Sequence, residues 1–145
     1  MTSDAGLMMV RELDERLGMG ALIERYLTDT RRGRNTQLPL ADLLRQSVYS
    51  RLAGYEDVND AERVSADPTF RLIGSEKSWE RGAALTSRLQ SFETELLAAE
   101  ENVAGLAAIN RELIARVEAI DAPPWIMLDM DSTEIPVDGR QEPSA

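Results

Sequence analysis

At 145 residues the chain is about one domain long, and a 43% hydrophobic share lets it bury a core, which excludes wholesale disorder. It contains no cysteine and no histidine, so disulfides, thiolate chemistry and imidazole acid–base catalysis are excluded, and any metal site must use oxygen donors, which suits Mg²⁺, Mn²⁺ or Ca²⁺. A net charge of −10 argues against a free-standing nucleic-acid binder, yet Arg25, Arg31, Arg32, Arg34, Arg45 and Arg51 crowd one region while the acids gather from Glu93 to Glu118.

The low aromatic share and the abundance of Ala, Leu, Glu and Arg predict helices. Ser3 or Asp4 can N-cap a first helix whose Leu7, Val10, Leu13 and Leu17 recur at helical spacing, with Gly18 as its stop. A short second helix covers Ala21 to Leu27. The segment "TDTRRGRNTQ" has no apolar residue and reads as an exposed basic loop. The strongest helix follows, with Pro39 in its first turn, an apolar face of Leu40, Leu43, Leu44, Val48 and Leu52, and Gly54 at its end. On this reading Arg45 and Arg51 are ordinary surface residues, although the helix could enter a groove as part of a helix-turn-helix-like unit.

A short helix is expected in "DVNDAERVSA", then another capped by Asp67 with Pro68 behind it. "SEKSWERGA" reads as loop. Longer helices are predicted from about Leu85 to Ala99, with Leu85, Leu89, Phe92 and Leu96 on one face, and from about Val103 to Ile120, through Leu106, Ile109, Leu113 and Val117. Together they read as a helical hairpin, either a dimerisation element or simple packing. Trp79 and Trp125 are expected in the core or at a domain junction. No apolar run approaches the ~20 residues that cross a bilayer, and the N-terminus lacks the basic region of a signal peptide, so a cytoplasmic protein with no membrane contact is expected.

Pro123 and Pro124 close the helical part, and "WIMLDM" changes character. It is short, continuously apolar and flanked by proline, as in a strand buried on both faces. Trp125, Met127, Asp129 and Asp131 would then share one side. A single strand cannot pair with itself, and no other segment reads as a good strand, so the pattern suggests a fragment. The fold class expected is mainly α: a helical N-terminal domain over residues 1–121, then the start of a different domain over 122–145.

The carboxylates Asp129 and Asp131, followed by Ser132 and Thr133, admit three readings. They can simply open a turn. They can supply the first ligands of a metal-dependent phosphoryl-transfer site, in which two ions ~4 Å apart activate the attacking oxygen and stabilise the leaving one. Or "IMLDMDST" matches the first motif of haloacid-dehalogenase-like phosphatases, with Asp129 as nucleophile and Asp131 as general acid. That motif normally opens its catalytic domain, and only Ser132 to Ala145 follow it here.

The blocks "LADLLRQSVYSRLAGYEDVNDAERVSADPTFRLIG", "SWERGAALTSRLQSFETELL" and "WIMLDMDSTEIPVDGRQEPSA" resemble, in this order and spacing, the N-terminal part of DDE transposases, and more narrowly the insertion-sequence thirteen-eighty family. The resemblance covers roughly Leu38 to Ala145. It implies an RNase H-like catalytic core, of which 122–145 would be the start, and a DDE acid triad binding two Mg²⁺ ions for DNA cleavage and strand transfer during transposition. The first triad member maps onto Asp131, with Asp129 as a supporting metal ligand. The second Asp and the Glu of the triad would lie beyond residue 145. Family members often carry His or Tyr before the Gly of "G-x-Q"; here Asp138 precedes Gly139.

The resulting expectation is a truncated transposase, inert alone because one lone ligand site cannot hold two ions. Its parent would bind transposon-end DNA, with Arg31, Arg32 and Arg34 as phosphate contacts, and a homo-oligomer is possible. The alternative from another class is a small helical module that binds DNA or protein without catalysis.

Overall fold

The computed structural model describes residues 6–55, 57–125 and 127. Eight α-helices follow one another among them: α1 (Gly6–Leu17), α2 (Met19–Tyr26), α3 (Leu40–Leu52), α4 (Ala61–Ala66), α5 (Pro68–Ile73), α6 (Glu76–Arg81), α7 (Thr86–Ser91) and α8 (Glu100–Ile120). Two 3₁₀ turns, Gly33–Thr36 and Val58–Asp60, and a π-helical turn, Phe92–Leu96, complete the order, and no strand occurs among the described residues. The mainly α class is therefore as expected. Of the expected strand at "WIMLDM", Trp125 and Met127 are described: neither lies in a strand and both are exposed, at 68% and 76%, so at these positions the buried strand is not found. The rest of that segment, the caps Ser3 and Asp4, and both Asp129 and Asp131 lie outside the described residues.

Local signals explain most of the helix ends. Gly18, at φ 67°, stops α1 in the left-handed region and at once caps α2. α3 ends in a Schellman arrangement around Gly54 at φ 87°: the Tyr55 amide donates to the Ser50 carbonyl at 2.9 Å and the Gly54 amide to Arg51 at 3.1 Å. Asp67 caps α5 by accepting from the Thr69 amide at 2.7 Å, with Pro68 at the first helical position.

The helix α6 was not expected. It is six residues long, with no apolar face, and Trp79 within it is 55% exposed. Its packed side is polar: Ser78 is buried and donates to Asp42 at 2.7 Å. Trp125 is 68% exposed, so neither tryptophan is a core residue. The segment expected as one helix from Leu85 to Ala99 divides instead. α7 passes into the π turn, where the Leu97 amide reaches the Phe92 carbonyl at 2.9 Å. The wider turn keeps Leu89, Phe92 and Leu96 buried together, while Leu85 stays exposed. α8 packs on α2 and α1 rather than pairing chiefly with α7, so the hairpin does not form as expected.

The main core joins Leu22 and Ile23 of α2, Leu43 and Leu44 of α3, Leu89 of α7, Phe92 and Leu96 of the π turn, and Ile109 of α8. Leu22, Ile23, Leu43 and Leu89 are at most 2% exposed, and each such burial contributes about 1.5–3 kcal/mol. A second cluster gathers Leu7, Tyr49, Val64, Phe70 and Ile73, with Tyr55 set edge-on to Phe70 at 6.4 Å. α2 and α8 cross closely at Gly105, where a Cβ would lie 2.2 Å from the Tyr26 carbonyl oxygen.

The centre of the fold is α3, and its buried face is not the one that apolar spacing picks out. Leu43 and Leu44 are buried as expected, but Val48 and Leu52 are exposed. Asp42, Arg45, Gln46, Ser47, Tyr49 and Ser50 are buried in their place. Most polar side chains on this seam tie α3 to other segments, while the Ser50 hydroxyl donates back to the Gln46 carbonyl within the helix. The Arg45 guanidinium donates to both carboxylate oxygens of Asp14 on α1, at 2.8 and 2.9 Å, and the Tyr49 hydroxyl donates to the same carboxylate at 2.6 Å. Asp42 accepts from the Ser75 amide at 3.1 Å and from the Ser75 and Ser78 hydroxyls. Gln46 bonds both backbone groups of Ala84, each at 2.7 Å. Ser47 and Arg51 hold Glu93 of the π turn. Arg45 is thus structural, not surface as expected, and Arg51 is half of an ion pair.

Candidate nucleic-acid interface

The basic loop leaves α2 at Tyr26 and returns to α3 at Leu40. Its start is fixed by Asn102 of α8, which is fully buried. The Asn102 side-chain oxygen accepts from the Thr28 amide at 2.8 Å. Its nitrogen donates to the carbonyls of Thr28 at 3.0 Å and Leu96 at 2.9 Å. One amide thereby sets the loop beside the end of the π turn. Nothing in the local sequence marks Asn102 for this role, because asparagine in a helix reads only as a weak helix former.

Beyond Thr28 the loop turns on Asp29. Its carboxylate accepts from the Arg31 amide at 3.1 Å and from the Arg31 guanidinium at 2.7 Å through each oxygen. Those hydrogen bonds hold the Asp29 carboxyl below its ordinary range against the opposing effect of burial. Arg31 is thus oriented by an acid and shares its charge with it. Arg32 is exposed and precedes the 3₁₀ turn that contains Arg34, whose side chain lies outside the described part.

The loop forms one wall of a cleft of about 660 Å³. Arg31 and Arg32 of the loop, Arg88 and Ser91 of α7, and Glu95 of the π turn line it. Leu43, Phe92 and Leu96 supply the apolar part of the lining. A smaller hollow of about 190 Å³, lined by Arg81, Leu85 and Arg88 among others, adjoins it and shares Ser87 and Arg88. Among the described residues Arg32 and Arg88 have no ion-pair partner. The structure brings two of the three sequence-identified arginines, Arg31 and Arg32, to this cleft and adds Arg88 from a distant part of the chain, while Arg81 lines the adjoining hollow.

The buried polar clusters have a different electrostatic character. Burial opposes ionisation of Asp14. Hydrogen bonds from Arg45 and Tyr49, with the charges of Arg45 and Arg11, outweigh it and hold the carboxyl below its ordinary range. Burial, then the bond to Asp14, pushes the Tyr49 phenol well up, so it stays protonated as the donor. Arg51 and Ser47 likewise hold the Glu93 carboxyl down. The Asp14, Arg45 and Tyr49 groups satisfy one another in the interior, whereas the Arg51–Glu93 pair reaches the surface.

No group of three or more Asp and Glu side chains among the described residues could hold a metal ion. The described part therefore does not fit a divalent-metal centre, and the carboxylates expected to ligate one, Asp129 and Asp131, lie outside it. No helix among the described residues is long and apolar enough to cross a membrane.

No curated protein and no solved structure matches the chain. A family model described as transposase DDE domain group 1 matches residues 1–145, and the chain belongs to that family.

Proposed function

We propose that these 145 residues act as the N-terminal, DNA-holding part of a transposase that cleaves DNA and transfers strands. The observation that carries the reading is the family match over the whole chain, joined to the Asp-x-Asp-Ser-Thr motif from Asp129 to Thr133. Within it, Asp131 is the first acid of the triad and Asp129 a supporting ligand, with Mg²⁺ as the divalent ion. Arg31, Arg32 and Arg34 are contacts to phosphates of the transposon ends. Residues 1–121 form the helical domain, and 122–145 begin an RNase H-like core. The narrower kinship is to the insertion-sequence thirteen-eighty family, and the protein acts in the cytoplasm. The exposed Val103, Ile114, Val117 and Ile120 of α8 supply a surface through which copies could meet. The phosphatase reading leaves the transposase family match without explanation.

In this reading the 145 residues alone are catalytically inert, because the second Asp and the Glu of the triad are not among them. Incubating the purified chain with supercoiled plasmid and Mg²⁺ tests this. No nicking is expected. Mg²⁺-dependent nicking that disappears in Asp131→Ala would refute the inertness while establishing Asp131 as catalytic.

A second reading, a helical module that binds DNA without catalysis, is favoured by one observation. The helical body from Gly6 to Ile120 has its own core, and its seam polar groups are paired within it. It separates from the first if restoring the missing acids in trans or in cis never yields cleavage.

A further inference from the structure

The cleft between the basic loop and α7 has a chemistry that the three loop arginines alone do not define. In a chain of net charge −10, arginines from two sequence-distant segments, Arg31 and Arg32 of the loop and Arg88 of α7, line one cleft of about 660 Å³. Arg31 is held in place by Asp29, whereas Arg88 of α7 lines the same cleft with no ion-pair partner among the described residues. The adjoining hollow shares Arg88 and extends the basic wall to Arg81. Two hollows that share Ser87 and Arg88 make a track rather than a single closed pocket. Leu43, Phe92 and Leu96 are the apolar part of the lining, and Thr30, Ser87 and Ser91 add hydroxyls beside the arginines, a mixture that suits a phosphate. Arginines outnumber the single acid in the lining, so the cleft can attract an anion despite the acidity of the whole molecule. That acid, Glu95, opposes this and limits affinity.

We propose that this track binds the sugar–phosphate backbone of one DNA strand, with Arg88 as its central contact, Arg32 and Arg81 on either side, and Glu95 as a brake. The proposal rests on the DNA-partner reading above and deepens it by naming a contact element, α7, outside the basic loop. Because Arg88 touches phosphate and not bases, its removal should weaken all sequences alike. Asn102 acts through the loop as a positioning residue.

The test is titration of a 20-base-pair duplex of arbitrary sequence at several salt concentrations, using the intact chain, Arg88→Ala and Glu95→Gln. Arg88→Ala should bind several-fold more weakly at low salt, with the salt slope reduced by about 0.9, the loss of one phosphate contact. Glu95→Gln should bind more tightly than the intact chain, a gain that no misfolded variant would show. If the intact chain binds DNA and both variants match it, the track is overturned while the DNA reading stands. If the intact chain binds no DNA at low salt, both fall. If a mononucleotide binds as tightly as the duplex and depends equally on Arg88, the cleft is a nucleotide pocket and the strand track is overturned.

Discussion

Arg45 and Arg88 are the same residue type with opposite fates. Arg45 is buried on α3, where both Asp14 oxygens and the nearby Tyr49 hydroxyl complete one closed cluster. Arg88 lines an open cleft and has no ion-pair partner among the described residues. A buried cation must be paired, because desolvation makes an unpaired one very costly, whereas the half-buried Arg88 at an open cleft keeps part of its hydration and its capacity to meet an anion. The seam around α3 is therefore a scaffold, and the cleft is where charge remains available for a partner.

Breaking the seam should have the largest effect. Asp14→Ala leaves the Arg45 guanidinium buried without its carboxylate and strands the Tyr49 hydroxyl. Urea denaturation should show a loss of about 3–5 kcal/mol. The double variant Asp14→Leu with Arg45→Met removes both charges together and should recover most of that loss. A double variant as unstable as Asp14→Ala would mean that the pair specifies the α1–α3 packing beyond its own charge.

Asn102→Ala should come next. It unbonds the Thr28 amide and carbonyl and the Leu96 carbonyl, at a cost of about 2–3 kcal/mol by thermal melting. It should also lower DNA affinity, because the loop wall of the cleft loses its anchor. Gly105→Ala is expected to cost about 1–3 kcal/mol, since the new methyl meets Tyr26 backbone, which cannot swing aside as a side chain would.

Acid should act on the same seam. The folded carboxyls of Asp14 and Glu93 titrate below their ordinary range, so they bind protons less readily than in the unfolded chain. Their contribution to stability is fully present above the unfolded carboxylate values of about 4. It is lost as pH falls through the lower folded values. Melting temperature should therefore hold steady from neutral pH down to about 5 and then decline. Asp14→Leu with Arg45→Met should flatten part of that decline.

What the sequence made legible and what it concealed follow the same division. Apolar spacing found Leu89, Phe92 and Leu96, and local chemistry found the Asp67–Pro68 start of α5 and the glycine ends of α1 and α3. It missed α6, whose packing is carried by Ser78 and not by an apolar residue. It placed Leu13 on the packed face of α1, where Asp14 is buried instead and Leu13 is 52% exposed. Hydrophobic pattern weighs apolar residues and has no means of recognising a polar side chain whose partner is distant in the chain. For the same reason the loop arginines were visible as a local run, while Arg88 joined them only through folding. The proposed triad residue was assigned from the family resemblance of the surrounding blocks, because the Asp pair by itself admits three readings, and Asp131 lies outside the described residues.

The smallest structural effect should belong to the cleft. Arg88→Ala breaks no ion pair among the described residues and should change stability by no more than about 0.5 kcal/mol. That near-neutrality makes it the cleanest probe of the contrast with Arg45. The most direct measurement compares DNA binding by Arg88→Ala and Arg63→Ala at one low salt concentration. Each loses one positive charge, but Arg63 is an exposed residue of α4 paired with Asp60. Weaker binding by Arg88→Ala with Arg63→Ala unchanged is the expected result. Equal losses would contradict the account, because total charge and not the cleft would then govern the interaction.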